Sequence, residues 1–189
     1  GVELLFEAST GGGIPIIGPL RKDLQANDIS SVRAIINGTT NYVLTQMAGL
    51  GLDFATALEQ AQQLGYAETD PSSDIEGRDA AFKLAVLASL SFHTKVSASD
   101  VPYEGIGDLS DRDFRYAHEL GYSIKLLAIG RKADGQVQVR VHPALLPQEA
   151  PLAKIEGAYN AVEVEGDLVG RVLFHGAGAG AEPTSSAVV

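Results

Sequence analysis

The order in which two hydrophobic patterns occur constrains this chain most. Apolar residues recur at helical spacing through its first part and alternate at strand spacing in its last part. Phe54, Ala57, Leu58, Ala61 and Leu64 share one helical face, with Asp53 as the cap and Gly65 as the stop. Strands are predicted at Tyr122–Arg131, Val137–Val141, Ala161–Glu165 and Val169–His175. Turns such as Ala133-Asp134-Gly135 and Glu165-Gly166-Asp167 separate them. Helices and strands kept apart in this way predict an α+β fold, a single layer of mixed or antiparallel sheet covered by helices, rather than a doubly wound sheet.

The earlier elements read as follows. Val2–Phe6 is a short apolar run of the kind found in a buried strand, and a helix runs from Ile14 to about Gln25. Ser31–Asn37 is strand-like, Gly38-Thr39-Thr40 turns, and Asn41–Leu50 is helical. A long helix is expected from Asp74 to about Phe92, and Ser97–Ser110 is irregular. Asp111–Leu120 is helical again. Pro143–Pro151 is the one candidate hinge, too short to divide the chain, so all 189 residues read as one domain.

Composition removes several functions. The chain has no cysteine, which excludes thiolate metal sites, iron–sulfur clusters and cysteine nucleophiles and is compatible with a cytoplasmic protein. Fourteen basic against 24 acidic residues leave a net charge of −10, a field that repels nucleic acid and anionic membrane. No apolar run approaches the roughly 20 residues of a membrane-spanning helix.

Gly65–Lys83 is the stretch richest in chemistry. It carries Glu68, Asp70, Asp74, Glu76 and Asp79 in a loop and the first turns of the long helix, followed by Lys83. From Ala80 to Phe92 that helix is almost wholly apolar, and a helix apolar on all sides is buried. Lys83 is the one charge inside this run, four residues after Asp79 and therefore on the same face. A buried ammonium is costly unless paired, and a lysine held by a carboxylate is a positioned proton donor or acceptor. The same pattern also fits a salt bridge whose lysine runs its stem out to solvent. Glu68 and Asp74 are placed to reach the same pocket, where acids around one ammonium suit a small zwitterion.

Two glycine segments stand apart from it. In Phe6–Pro15, three glycines between a strand and a helix allow close backbone approach, and inward carbonyls there could hold sodium or potassium. No Lys-Ser/Thr follows, so it is not a phosphate loop. In His175–Ser185, glycine and alanine alternate before a Pro-Thr-Ser helix start, and bare backbone amides there suit an anion or a flat cofactor ring. The four histidines do not pair at metal-ligand spacing.

Together, Phe6–Ile17, Asn37–Leu44, Gly65–Lys83 and Gly176–Val189 resemble, in order and over nearly the whole chain, the substrate-binding and catalytic domain of the homoserine dehydrogenase family. The resemblance implies a domain of the glyceraldehyde-3-phosphate-dehydrogenase-like C-terminal type, forming a homodimer through itself. It implies reversible NAD- or NADP-dependent interconversion of L-homoserine and L-aspartate 4-semialdehyde, in threonine, methionine and isoleucine biosynthesis. Lys83 becomes the proton-transfer residue and Asp79 its partner. Glu68, Asp74, Thr39 and Tyr66 take substrate-binding positions. Gly178 and Gly180 meet the nicotinamide end of the cofactor, and Glu7, Thr10, Gly12 and Ile14 hold a monovalent cation through carbonyls. The family's N-terminal nucleotide-binding domain has no counterpart here, so residues 1–189 are expected to be an excised catalytic and dimerisation domain, with the main cofactor site elsewhere. A non-catalytic dimerisation or ligand-binding module is the alternative reading.

Overall fold

A computed structural model of the chain describes residues 4–188. One antiparallel sheet of five strands forms its spine, in the order β3-β2-β1-β4-β5. The strands are β1 (Ile29–Ile35), β2 (Tyr122–Ala133), β3 (Gln136–Pro147), β4 (Tyr159–Gly166) and β5 (Gly170–Ala177). β2–β3 and β4–β5 are hairpins, and β1 pairs with β2 on one side and β4 on the other. Among the described residues, the only strand from the first half of the chain is thus central, which joins the helical and strand-rich parts. The expected α+β class, with antiparallel pairing, is what forms.

Helices cover one face of the sheet: α1 (Ile17–Arg21), α2 (Gly38–Leu50), α3 (Phe54–Gln63), α5 (Arg78–Ser91) and α6 (Asp111–Glu119). Val32 and Ala34 of β1, Leu126 and Ala128 of β2, and Val162 and Val164 of β4 point into this layer and meet Val43, Leu84 and Leu87. Each leucine buried there is worth roughly 1.5–3 kcal/mol. Ile35, Leu127 and Ala161 alternate to the other face, where Leu152, Ala153 and Ile155 cover one end of the sheet. A short α4 (Ser72–Ile75) precedes α5, and α7 (Ala181–Val188) follows β5.

Several expectations are corrected. Residues 4–6 form no strand, Leu4 and Leu5 are exposed, and the remainder of the expected Val2–Phe6 strand lies outside the described residues. A short apolar run without alternation does not by itself specify a pairing partner. The first helix shrinks to α1, and β1 ends at Ile35, two residues before Asn37. Asn37 instead caps α2, its side chain accepting from Thr40 N–H.

The long helix expected from Asp74 is broken at Gly77, which takes φ +87°. The Ile75 carbonyl accepts from Ile106 N–H rather than from the next helical turn, at 2.8 Å. Gly105 makes that approach possible, since a Cβ there would lie 2.2 Å from the Ile75 carbonyl oxygen. Nor is α5 buried all round, because Phe82 stays 55 % exposed. Pro143–Pro151 is no hinge. β3 runs through Pro147, and a 3-10 turn over Pro151–Lys154 buries Leu152 and Ala153. No helix among the described residues is long and apolar enough to cross a membrane.

Candidate active site

A cavity of about 530 Å³ opens where the N-terminus of α2, the start of α5 and the turn after β5 meet. Thr39, Tyr66, Asp74, Asp79, Lys83, Gly178 and Gly180, all singled out from the sequence, line it. They come from three separated stretches of the sequence, and the break at Gly77 lets α4 and α5 present Asp74 and Asp79 to one point.

That point is Asn37. Its Nδ2 donates to Asp74 Oδ1 at 2.7 Å and to Asp79 Oδ2 at 2.9 Å. Its Oδ1 is committed to the cap, accepting from Thr40 N–H at 2.9 Å. One carboxamide therefore starts α2 and ties two acids together. Lys83 Nζ donates to the same Asp79 Oδ2 at 2.7 Å and to the Ile36 carbonyl at 3.2 Å. The Lys83 and Asp79 side chains are 24 % and 29 % exposed, so the pair is neither sealed in the core nor free in solvent. An ammonium has three hydrogens. Two are engaged by protein, which leaves one for a group in the cavity. Thr39 Oγ1 donates to the Tyr66 carbonyl at 2.6 Å and lies 3.0 Å from Asp74 Oδ2, and the Tyr66 ring packs on Tyr42.

The other acids of the stretch go elsewhere. Glu68 is exposed and does not line the cavity, and its carbonyl accepts from Gln62 Nε2. Asp70 caps the Ser72 amide, and Glu76 pairs with Arg78 at the surface. Asn37, Ala158 and Tyr159 also line the cavity and were not singled out. The rule that Asn precedes a helix could have found Asn37. Nothing local marks Ala158 or Tyr159.

The two glycine segments back one another. A Cβ on Gly12 would lie 2.2 Å from the Gly178 carbonyl oxygen, and one on Gly178 would lie 2.0 Å from Asn160 Nδ2. Gly13 N–H donates to the Ala177 carbonyl at 3.1 Å. Only bare backbone fits at this junction, and Gly178 and Gly180 present that backbone to the cavity.

The Glu7 carboxylate is spent on α1. Its Oε1 accepts from Ile16 and Ile17 N–H and its Oε2 from Gly18 N–H, at 2.5, 2.6 and 2.7 Å. Any role for Glu7 in holding a cation therefore falls to its carbonyl. Among the described residues, the carbonyls of Thr10, Gly12 and Ile14 accept no hydrogen bond, and the buried Thr10 Oγ1 has no partner. Uncommitted oxygens of this kind fit a hard monovalent cation.

The homoserine dehydrogenase family model matches residues 15–189. A homoserine dehydrogenase from Synechocystis is 53% identical over 100% of this chain and 45% of its own length. The crystal structure of a homoserine dehydrogenase from Thiobacillus denitrificans superposes with a TM-score of 0.95 at 51% identity, over 97% of this chain and 42% of that one. A hyperthermophilic archaeal homoserine dehydrogenase in complex with NADPH gives a TM-score of 0.80 at 32% identity, over 97% of this chain and 52% of that one. The chain thus spans under half the length of the curated relatives it matches. Full coverage at this identity, on the same five-stranded sheet, leaves one assignment: the chain belongs to the homoserine dehydrogenase family.

Proposed function

We propose that this chain supplies the substrate-binding and proton-transfer part of an enzyme that interconverts L-homoserine and L-aspartate 4-semialdehyde. Lys83 carries the reading: its Nζ is fixed by Asp79 and the Ile36 carbonyl, with one hydrogen left toward the cavity. In the oxidising direction neutral Lys83 takes the proton of the C4 hydroxyl as the C4 hydrogen leaves as hydride. In the reducing direction protonated Lys83 gives that proton to the aldehyde oxygen. NAD or NADP, when bound, supplies the hydride acceptor or donor. Gly178 and Gly180 would seat its nicotinamide end, while the rest of the nucleotide is held outside residues 1–189.

Asp79 orients Lys83 and balances its charge. Asp74 and Thr39 are the polar groups placed to hold the substrate, with the Tyr66 ring beside them, and Glu68 can act only from the rim. The carbonyls of Glu7, Thr10, Gly12 and Ile14 would hold sodium or potassium behind the glycine junction, stiffening it. A homodimer would form across the sheet face that the helices leave open, where Ile129 and Leu173 stand beside the Arg33–Glu163–Arg171 ion group. Lack of cysteine agrees with a cytoplasmic setting.

The test is Lys83→Ala in the full-length protein. Turnover should fall about 10²–10⁴-fold, the usual worth of a positioned acid–base group, with the substrate KM changing far less. Near-normal turnover would remove Lys83 from the chemistry.

A further inference from the structure

Lys125 is a lysine buried by this fold, more deeply than Lys83, and the proposed chemistry does not use it. It stands on β2, and only 4% of the residue is exposed. Its Nζ donates to the Ile155 carbonyl and to Asn41 Oδ1, the latter at 3.3 Å, and it makes no ion pair among the described residues. Burying an ammonium against neutral oxygens is expensive, and an apolar side chain would fill the position at lower cost. What the ammonium reaches explains its place.

Asn41 lies in the first turn of α2, two residues after Thr39. Its Nδ2 donates to the Ile155 carbonyl at 3.2 Å and to the Tyr159 carbonyl at 3.0 Å. Thr45, one turn on, accepts from Gly157 N–H at 3.1 Å and donates to the Asn41 carbonyl at 2.7 Å. Gly38 closes the contact, since a Cβ there would lie 2.8 Å from the Ala158 carbonyl oxygen. Residues 155–158 have no regular structure before β4 begins at Tyr159, yet Ala158 and Tyr159 form part of the cavity wall. Tyr159 pairs with Ala177 of β5, and on the other side the approach to β4 is held by these side-chain ties: Lys125 holds both Ile155 and the Asn41 that holds Tyr159.

We propose that Lys125 is a positioning residue for the substrate cavity: with Asn41 it clamps the Ile155–Tyr159 segment to the α2 N-terminus and so fixes the Ala158–Tyr159 wall. The inference rests on the proposed function for its kinetic consequence but not for its structural one.

The experiment uses full-length Lys125→Met, which keeps the stem and loses the donor, alongside Thr45→Val, which loosens the same segment from a half-buried position. Amide exchange needs no activity. Peptides covering residues 155–159 should exchange at least tenfold faster in both variants, while β2 and β3 stay protected. In steady state, the KM for homoserine should rise about tenfold, with kcat within threefold and the cofactor KM unchanged. Unaltered exchange at 155–159, or loss of protection spread evenly over the sheet, would overturn the clamp. Fast local exchange with no rise in the homoserine KM would also overturn it, provided the wild type oxidises homoserine. A wild type that does not do so refutes the proposed function, and the exchange result then decides the clamp alone. Should Lys125→Met fail to fold, Thr45→Val carries both readouts.

Discussion

Asn37→Asp puts the geometry of the site under the sharpest strain. The wild-type amide donates to Asp74 and Asp79 while its oxygen caps α2. The substitution keeps the cap, because Asp and Asn are equivalent there. It replaces the donor with a third carboxylate facing two others across the former 2.7 and 2.9 Å hydrogen bonds. Unit charges about 4 Å apart near a protein surface interact by about 4 kcal/mol. The Lys83 ammonium offsets part of this and solvent screens more, which leaves an excess cost of about 3 kcal/mol at pH 7. Asn37→Ser is the control: it also caps the helix and loses both donor bonds, but it adds no charge.

The sign with pH follows from proton binding. Crowded carboxyls titrate above their usual ~4, so the folded variant holds protons that the unfolded chain has released. Stability then falls as pH rises from about 4 to 7, and the penalty shrinks on acidification. Urea denaturation of wild type and both variants at pH 7 and pH 4.5 reads this directly. Asn37→Asp should be about 3 kcal/mol less stable than Asn37→Ser at pH 7, and within about 1 kcal/mol of it at pH 4.5. An equal gap at both pH values, or none at pH 7, would refute the idea that Asn37 holds two charged acids together.

Three further outcomes are expected. Burial pulls Lys125 down to about 8, against the field of Glu156, which pushes it up. Between there and the unfolded value of 10.5 the unfolded chain binds more protons. Wild type should therefore gain about 3 kcal/mol of stability relative to Lys125→Met as pH rises through that window, in paired denaturant titrations. Gly178→Ala should cost about 1–3 kcal/mol by overpacking against Asn160 and raise the cofactor KM, whereas Gly49→Ala, in open space on α2, should add roughly 0.5–1 kcal/mol by thermal melting. Sedimentation at micromolar concentration should show a dimer that Ile129→Glu, on the open sheet face, converts to monomer.

How far the sequence could be read depends on where each signal resides. Periodicity belongs to a segment by itself, so α3, α6, β2, β4 and β5 are legible to within a few residues, whereas β3 runs six residues past the expected Val141, through prolines that end the strand pattern but not the strand. The break at Gly77 was not, because it depends on a bond from Ile106 and on a close approach by Gly105, both in a stretch that reads only as irregular. Asn37 is a case of two local signals in conflict. The strand pattern of β1 claimed it, yet it is a helix cap, and the pairing of β1 with β4 ends at Ile35. Lys125 falls on the outward side of an alternating strand, where a lysine expects water. The chain from Leu146 to Ile155 folds back over that side instead, something that its prolines, taken for a hinge, did not announce.

The five acids of Gly65–Lys83 show the same division within the site. Their density pointed to a pocket, and the pocket is there, but density does not tell which acids face it. The i,i+4 step from Asp79 to Lys83 is a property of the helix and survived intact at 2.7 Å. Asp74 reaches the cavity only because the helix breaks before α5, and Glu76, three residues before Asp79, is carried to the surface by the same break. Had α4 and α5 been continuous, the i,i+3 rule would have put Glu76 and Asp79 on one face and turned Asp74 away, since five residues separate Asp74 from Asp79. Gly77 therefore decides which carboxylate joins Asp79 at Asn37. The site follows from a backbone exception that the helical pattern alone could not contain.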